Sequence, residues 1–570
     1  MDLFRLLVGH FFGRLFDNEI VSQHGDMRTN VVQAFGLVAT PGIFLPFYMI
    51  PQRVRFDRPF DNGWTLLSDY YFFVLYSMVV MGFVMVFEWD ALFPDRKDFL
   101  ILTPLPLGGG TIFAGKTVAL LLFLGLFVID ANFFCTLLGP LVSGGEGTPA
   151  TVLWKLIAVH LTAVASAGAF VALSLAAVQG VLINVLTGRG FRRVSPWVQM
   201  AMMGLLIVVL FLTPLACASI RPLVQSHSPL LRYFPPFWFL AFYLDMLPGR
   251  PAGAFFHEIA PLAWQGLSIA AAVFAVTYLT GYWRHSRRVM EGVEAGFGAP
   301  GWLRSRFDRV VNRRLLPHPL ERATFHFITN TILRDARHRL FLAAYAGIAL
   351  SLALPAVMHI GVMHIGGKAG APMVAWSAAG LLTVPLTLSF FVVSGLRAAF
   401  NLPAELRANW IFQVCETEER TVHIGAVRKW IVVMGIVPLF VVLAPIEVVF
   451  RGGRLALIHL SFAFLLSLVL LNLLLVWFRK IPFTCSYFPG KTSMAVMFFL
   501  YLAGFSVYAW TMADLEERLL SKPAGLAIFY AGGALVLYLL WWLERRELGV
   551  DDTLIYEDEP DPIVRSLELG

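Results

Sequence analysis

Charge is what this chain has least of. Of its 570 residues only 14% are Asp, Glu, Lys or Arg, and 58% are hydrophobic, with a mean hydropathy of +0.72. A soluble domain carries about 25% charged residues, so a soluble fold is excluded. Cysteine is scarce as well. Cys135 and Cys217 sit in apolar runs, while Cys415 and Cys485 fall in expected cytoplasmic loops. No pair has disulfide or zinc spacing, which predicts free thiols and no metal site. Alternating segments of about ten residues, the mark of a transmembrane barrel, are missing. So is a cleavable leader: Arg5, His10 and Arg14 interrupt MDLFRLLVGHFFGRLF, and no small-residue cleavage site follows.

What remains are apolar runs of about 20 residues, the length that carries a helix across about 30 Å of hydrocarbon. Twelve are predicted, at 31–50, 66–87, 117–142, 152–185, 199–220, 259–281, 340–361, 374–400, 429–450, 455–478, 493–513 and 524–543. The expected fold is an all-α integral membrane protein. Lys and Arg gather in the loops on the side of the N-terminus, which makes both termini cytoplasmic in a multi-pass protein of the cytoplasmic (inner) membrane. In segment 2–17, Leu3, Leu7, Phe11 and Leu15 recur every four residues with the polar residues elsewhere, predicting an amphipathic helix at the membrane surface.

The runs divide into two sets of six in the same orientation, as in a parallel repeat. The first half is 1–281, and the second is 340–543. Between them lies a basic cytoplasmic linker, 282–339, whose ERATFHFITNTILRDARHRL forms a second surface helix. An acidic tail, 544–570, follows with the composition of a disordered segment. The linker interleaves Arg with Trp302, Phe307, Phe325 and Phe327, a pattern suited to anionic lipid headgroups rather than nucleic acid. The halves differ outside the membrane: 221–258 is long and rich in Pro and aromatics, whereas 514–523 is short and charged.

Two polar elbows stand out, EWDALFPDRKDF at 88–99 and NLPAELRANW at 401–410. Each follows an apolar run and precedes another that opens on a basic residue, Lys116 or the pair Arg428 and Lys429. A lever pushed from outside the membrane needs a defined helical start and exposed polar contacts. Pro94 and Pro403 suit a first helical turn. Asp95, Arg96, Lys97 and Asp98 in one elbow, and Glu405 and Arg407 in the other, supply the contacts. Between the first elbow and its next span, Gly110 to Thr117 fits the phosphate-loop pattern G-x-x-x-x-G-K-T. That loop requires a preceding buried strand, and the two prolines of LTPLPLGG spoil one.

Within the spans, ionisable groups are functional candidates because hydrocarbon makes them costly. Asp130 and His160 are expected at comparable depth on neighbouring helices, as a polar pair or a plain interhelical contact. Gln179, Asn184 and Asn472 are weaker cases. Glu447, Arg451 and His459 are expected at the outer interface. His359 and His364, five residues apart, share no helix face for a metal.

The order of surface helix, two spans, elbow and four spans, with an aromatic-Pro outer segment before the sixth, resembles the type-2 ABC exporter permeases. LTPLP leading to AGK before the third span is similar to the segment after the second span in that family. The resemblance covers both halves, as two fused six-helix permease halves, and is carried by layout more than by any one motif. It implies that the elbows are coupling helices seated in cytoplasmic ABC ATPase subunits, two copies on a separate chain, which bind ATP and Mg. The chain itself, with no credible phosphate loop and no LSGGQ-like stretch, is then a permease without its own ATPase site or cofactor. Its partners are membrane lipids and a substrate the sequence does not name. Two other classes fit less of the layout. An ion-gradient-driven secondary transporter explains Asp130 and the span prolines Pro41, Pro355 and Pro385, but has no use for elbows. An intramembrane lipid-modifying enzyme needs catalytic groups gathered at one depth, and the polar residues are scattered.

Overall fold

The computed structural model describes residues 2–16, 35–36, 38–40, 42, 63–93, 102, 107–144, 149–226, 228–247, 254–290, 302–365, 368–404, 406–414, 420–476, 478, 480–485, 494–520, 522–548, 554 and 557. The chain divides into two compact units, Met1–Gly296 with Gly361–Met373, and Phe297–Ile360 with Val374–Gly570.

The first unit contains α1 (Asp2–Phe16), α2 (Gly63–Phe87), α3 (Gly109–Gly144), α4 (Ala150–Val185), α5 (Gly188–Gln225), α6 (Pro235–Met246) and α7 (Ala254–Met290). Its hub is α4, which packs on α2, α3, α6 and α7. Val164, Gly168, Ala172, Ala176 and Gly180 repeat every four residues and are buried, so one face of α4 is nearly flat and its neighbours come close. A Cβ on Gly168 would stand 2.7 Å from Ser77 Oγ and 2.9 Å from Met81 Cγ on α2. Ser77 Oγ donates to the Val164 carbonyl at 2.7 Å across that contact. The aromatic-Pro segment forms α6, with prolines in its first turn, and buries Phe237, Phe239, Phe242 and Tyr243.

The second unit contains α8 (Trp302–Arg314), α9 (Pro319–Arg334), α10 (Ala336–Val357), α11 (Ala378–Ala399), α12 (Asn409–Val414), α13 (Arg420–Trp430), α14 (Val437–Arg451), α15 (Gly453–Leu475), α16 (Met494–Ser506), α17 (Met512–Leu520) and α18 (Pro523–Leu548); the strands β1 (Met358–Ile365) and β2 (Lys368–Trp376) follow α10, and most of their hairpin, Gly361–Met373, is assigned to the first unit. A π-turn, Ile431–Ile436, joins α13 to α14, and another, Val507–Thr511, joins α16 to α17. At the first of these, Pro438 has no N–H to continue the ladder, a known cause of local helix irregularity. The core gathers Phe390, Val393, Phe400, Trp430, Ile431, Leu471 and Phe478.

Among the described residues ten helices are long and apolar enough to cross a membrane, the architecture of a helical multi-pass membrane protein. Each overlaps one of the twelve expected spans. Most of expected span 31–50 lies outside the described residues, and those described, 35–36, 38–40 and 42, are helical. Expected span 493–513 is helical but broken by the π-turn at Val507–Thr511. Several helices overrun their spans: α3, α4, α5 and α7 hold 36 to 38 residues, about 55 Å at 1.5 Å per residue. The expected spans 340–361 and 374–400 run too far toward each other, for α10 ends at Val357 and the hairpin β1–β2 intervenes. His359 and His364 therefore fall on a strand.

Candidate functional site

Both elbows begin where a helix ends, and a helix end leaves carbonyls without partners in the ladder. In the first unit, α2 runs into a short 3-10 turn, Trp89–Ala91. Side chains from three other helices close on the carbonyls there. Gln199 of α5 donates from Nε2 to the Val86 carbonyl at 2.9 Å. Gln179 of α4 donates to the Trp89 carbonyl, and the Tyr278 hydroxyl of α7 to that of Leu92 at 3.3 Å. Trp89 is fully buried, and its indole N–H donates to Ser195 Oγ at 2.8 Å. Asn184 ties α4 to α7 beside this collar by donating to the Thr277 carbonyl at 2.8 Å. The end of α2 is thus held by α4, α5 and α7 together.

The second elbow is rooted differently. His338, at the start of α10 and fully buried, bonds through Nε2 with the Leu402 carbonyl at 3.0 Å. Its Nδ1 lies 3.0 Å from Asp335 Oδ2, and Asp335 Oδ1 accepts the Arg337 backbone N–H at 2.8 Å. Burial pushes the Asp335 carboxyl up, but His338, that backbone N–H and the Arg337 charge outweigh it and hold it below the ordinary carboxylate range. The chain between Phe478 and Cys485 completes the root. Phe483 donates its N–H to the Phe400 carbonyl and accepts from Ala404 N–H, both at 3.1 Å. It does so with φ at 69°, a left-handed conformation that costs a non-glycine residue about 1 kcal/mol or more. Its ring stands edge-on to His338 at 4.5 Å and to Phe400 at 5.5 Å. Asn409 Nδ2 donates to the carbonyls of Thr484 and Glu557, each at 2.7 Å, so the acidic tail is fastened at one point. Burial brings the Lys480 amine down to about 8, and it donates to the Cys485 carbonyl at 2.8 Å.

The expected contact residues themselves are mostly beyond view. Pro94, Asp95, Arg96, Lys97, Asp98 and Glu405 lie outside the described residues. Pro403 is buried, and Arg407 lies in the 3-10 turn Leu406–Ala408, its side chain not described.

Asp130 and His160 are not brought together. His160 Nδ1 bonds with the Tyr243 hydroxyl at 2.7 Å, and its ring meets Phe73 edge-on at 5.1 Å. Opposite it on α3 is Gly139, whose Cβ would stand 3.5 Å from His160 Cε1. Asp130 is nine residues from there, about 13 Å along the helix, and its Oδ2 is buried without a hydrogen-bond partner among the described residues.

Around Glu447 and His459, two of the residues expected at the outer interface, polar side chains are buried within the protein. His459 on α15 pairs through Nδ1 with both carboxylate oxygens of Glu516 on α17, at 2.8 and 2.9 Å, and neither side chain is more than 1% exposed. Glu447 and Arg451, one turn apart on α14, form an ion pair at 3.0 Å. Glu516 sits in a short charged segment that read as a surface loop.

The Gly110 to Thr117 stretch forms the opening turns of α3. Its amides are spent on the helix ladder, with Thr111 and Ile112 N–H both bonded to the Gly108 carbonyl, and no phosphate loop exists there. No family model, no curated protein and no solved structure matches this chain.

Proposed function

We propose that this chain is the transmembrane permease of an ATP-driven exporter of the ABC type, worked by two copies of a separate cytoplasmic ATPase through the elbows after the second and eighth expected spans. The observation that carries the reading is the anchoring of both elbow roots. A loop that merely connects spans has no need for Gln179, Gln199 and Tyr278 to converge on the carbonyls at its start, nor for Phe483 to adopt a strained backbone beneath its end. A lever needs both, because force applied at its tip moves the bundle only if the root does not yield. The test is affinity purification of the solubilised full chain from native membranes after cross-linking. Recovery of a Walker-motif ATPase, lost on replacing Asp95, Arg96 and Lys97 by Ala, supports the reading. Recovery of no ATPase sinks it.

One observation favours a second reading, a transporter driven by an ion gradient. Buried ionisable groups in membrane proteins are the usual machinery of proton coupling, and the pairs His459–Glu516 and Glu447–Arg451 are candidates for it. Transport in proteoliposomes that collapses with a protonophore and ignores ATP and its partner chain selects this alternative.

A further inference from the structure

The two helices of the basic linker turn their aromatic residues opposite ways. In α9, Phe325 is fully buried and Phe327 packs on the same core. In α8, Trp302, Phe307 and Val310 are 62%, 41% and 56% exposed, and Arg306, Arg309, Arg313 and Arg314 are exposed with them. At about 3.6 residues per turn these seven side chains share one half of the helix, and Val311, which is buried, lies outside that half. A helix of a soluble domain would bury its Trp. An exposed apolar group of this kind marks an interaction surface.

The face is held outward. Val311 and Leu316 are buried in one core with Phe325 and Ile328 of α9, and His326 Nε2 of α9 bonds with Asn312 Oδ1 at 3.0 Å. Arg322 donates to the carbonyls of Leu316 and Pro317 at 2.7 and 3.3 Å, which closes the corner between the two helices. In turn, α9 is fixed at the mouth of a span. Lys429 Nζ donates to Glu321 Oε1 at 2.6 Å and the Trp430 indole N–H to Thr329 Oγ1 at 2.8 Å. These two residues open the apolar run 429–450. One helix diameter, about 10 Å, therefore separates α8 from the level at which that run begins, and its exposed side chains reach the protein interior only if these contacts break.

We propose that the exposed face of α8 lies on the anionic leaflet at that boundary, with Trp302, Phe307 and Val310 among the first acyl carbons and the four arginines on lipid phosphates. Indole rings favour the membrane interface. Arginine stems cover apolar surface while their heads stay at the polar level, and a guanidinium can bond a phosphate through two parallel N–H groups. Arg306 and Trp302 already share one surface, the guanidinium 4.3 Å from the centre of the indole ring. Apolar residues alone would suit any lipid; the interleaved arginines select anionic ones. The proposal needs the membrane but not the ATPase, so its failure leaves the exporter reading standing.

The test is hydrogen exchange of the full chain in nanodiscs of phosphatidylglycerol and of phosphatidylcholine, joined to cross-linking by a phosphatidylglycerol with a photoreactive acyl chain. Peptides covering 302–316 should exchange more slowly in phosphatidylglycerol, and the cross-links should map to 302–310. In phosphatidylglycerol R313Q/R314Q should exchange about 30-fold faster than wild type over 302–316, since each basic residue near an anionic headgroup contributes close to a factor of five. It should match wild type in phosphatidylcholine, and α9 peptides, whose contacts are internal, should stay unchanged in both. Trp302→Ala should weaken the cross-linking, an arm independent of the arginine variant. Equal exchange of wild type in the two lipids, unchanged exchange in R313Q/R314Q, or no cross-link within 302–316 would each overturn the proposal and leave this face to a soluble acidic partner.

Discussion

His338 is the residue through which the second elbow can be loosened without touching its surface. Its fully buried ring joins the Leu402 carbonyl, the Asp335 carboxylate and the face of Phe483. His338→Ala strips the carbonyl of its donor, at about 1–3 kcal/mol for a buried group left unsatisfied. It also removes an edge-on ring pair worth about 0.5–1.5 kcal/mol. Together these predict a local loss of about 2–4 kcal/mol, concentrated where Phe400, Phe483 and Ala404 exchange backbone hydrogen bonds. Hydrogen exchange followed by mass spectrometry on the full chain in nanodiscs reads this directly, because local opening scales with local stability. Peptides covering 400–412 and 480–485 should exchange about 30-fold faster or more, taking 1.4 kcal/mol per factor of ten, while peptides from α2 and α4 stay unchanged. His338→Gln restores a donor near the Nε2 position and should recover most of the protection. If the Ala variant melts earlier but 400–412 keeps its protection, His338 is a core residue with no hold on the elbow, and the reasoning about rooted levers fails for this half.

Three further outcomes follow from the same geometry. Asp335→Asn should lower stability by about 1 kcal/mol through loss of a charge-assisted contact. Because the folded pKa lies below the unfolded one, that contribution is fully present above the unfolded value of about 4 and vanishes as pH falls through the folded value. The melting difference between wild type and D335N should thus be flat from about pH 5 to 8 and shrink in stronger acid. Gly168→Ala places a Cβ 2.7 Å from Ser77 Oγ and should cost about 1–3 kcal/mol by overpacking, whereas Gly125→Ala, with open space around it, should be neutral or gain about 0.5–1 kcal/mol. Thermal melts in detergent separate the two, and equal effects would refute the close approach of α4 to α2. His459→Ala leaves Glu516 buried without its partner and should cost about 3–5 kcal/mol, while Glu516→Gln, still able to accept from Nδ1, should cost much less; denaturant unfolding of both tests the pair.

The membrane helices were legible in the sequence because hydrocarbon thickness imposes length and apolarity on each span separately. The anchors were not, because their partners are backbone carbonyls. Gln179 reaches a carbonyl 90 residues away and Gln199 one 113 residues away, and a carbonyl leaves no mark on residue identity. Each such Gln reads as a lone polar side chain in an apolar helix. Depth was equally hidden. Asp130 and His160 looked level only if α3 and α4 ended symmetrically about their loop. Instead His160, ten residues into α4, faces Gly139, five residues before the end of α3. The hairpin at 358–376 was obscured because its apolar residues prolong the runs on either side, and hydropathy alone cannot tell a strand from the last turns of a helix.

The two roots use unlike means toward one end, and the difference follows from what surrounds them. At the first, Gln179 of α4, Gln199 of α5 and Tyr278 of α7 donate to carbonyls around the end of α2, and Ser195 of α5 accepts from Trp89. At the second, the chain relies on His338 at the foot of α10 and on the folded turn at 478–485, with Phe483 strained to present both its N–H and its carbonyl. An interhelical collar resists bending because several helices must move at once. A turn held by one strained residue and a few hydrogen bonds yields more readily, and its Asp335–His338 pair makes it the root that responds to charge. Any push delivered equally to both elbows should therefore displace the second first.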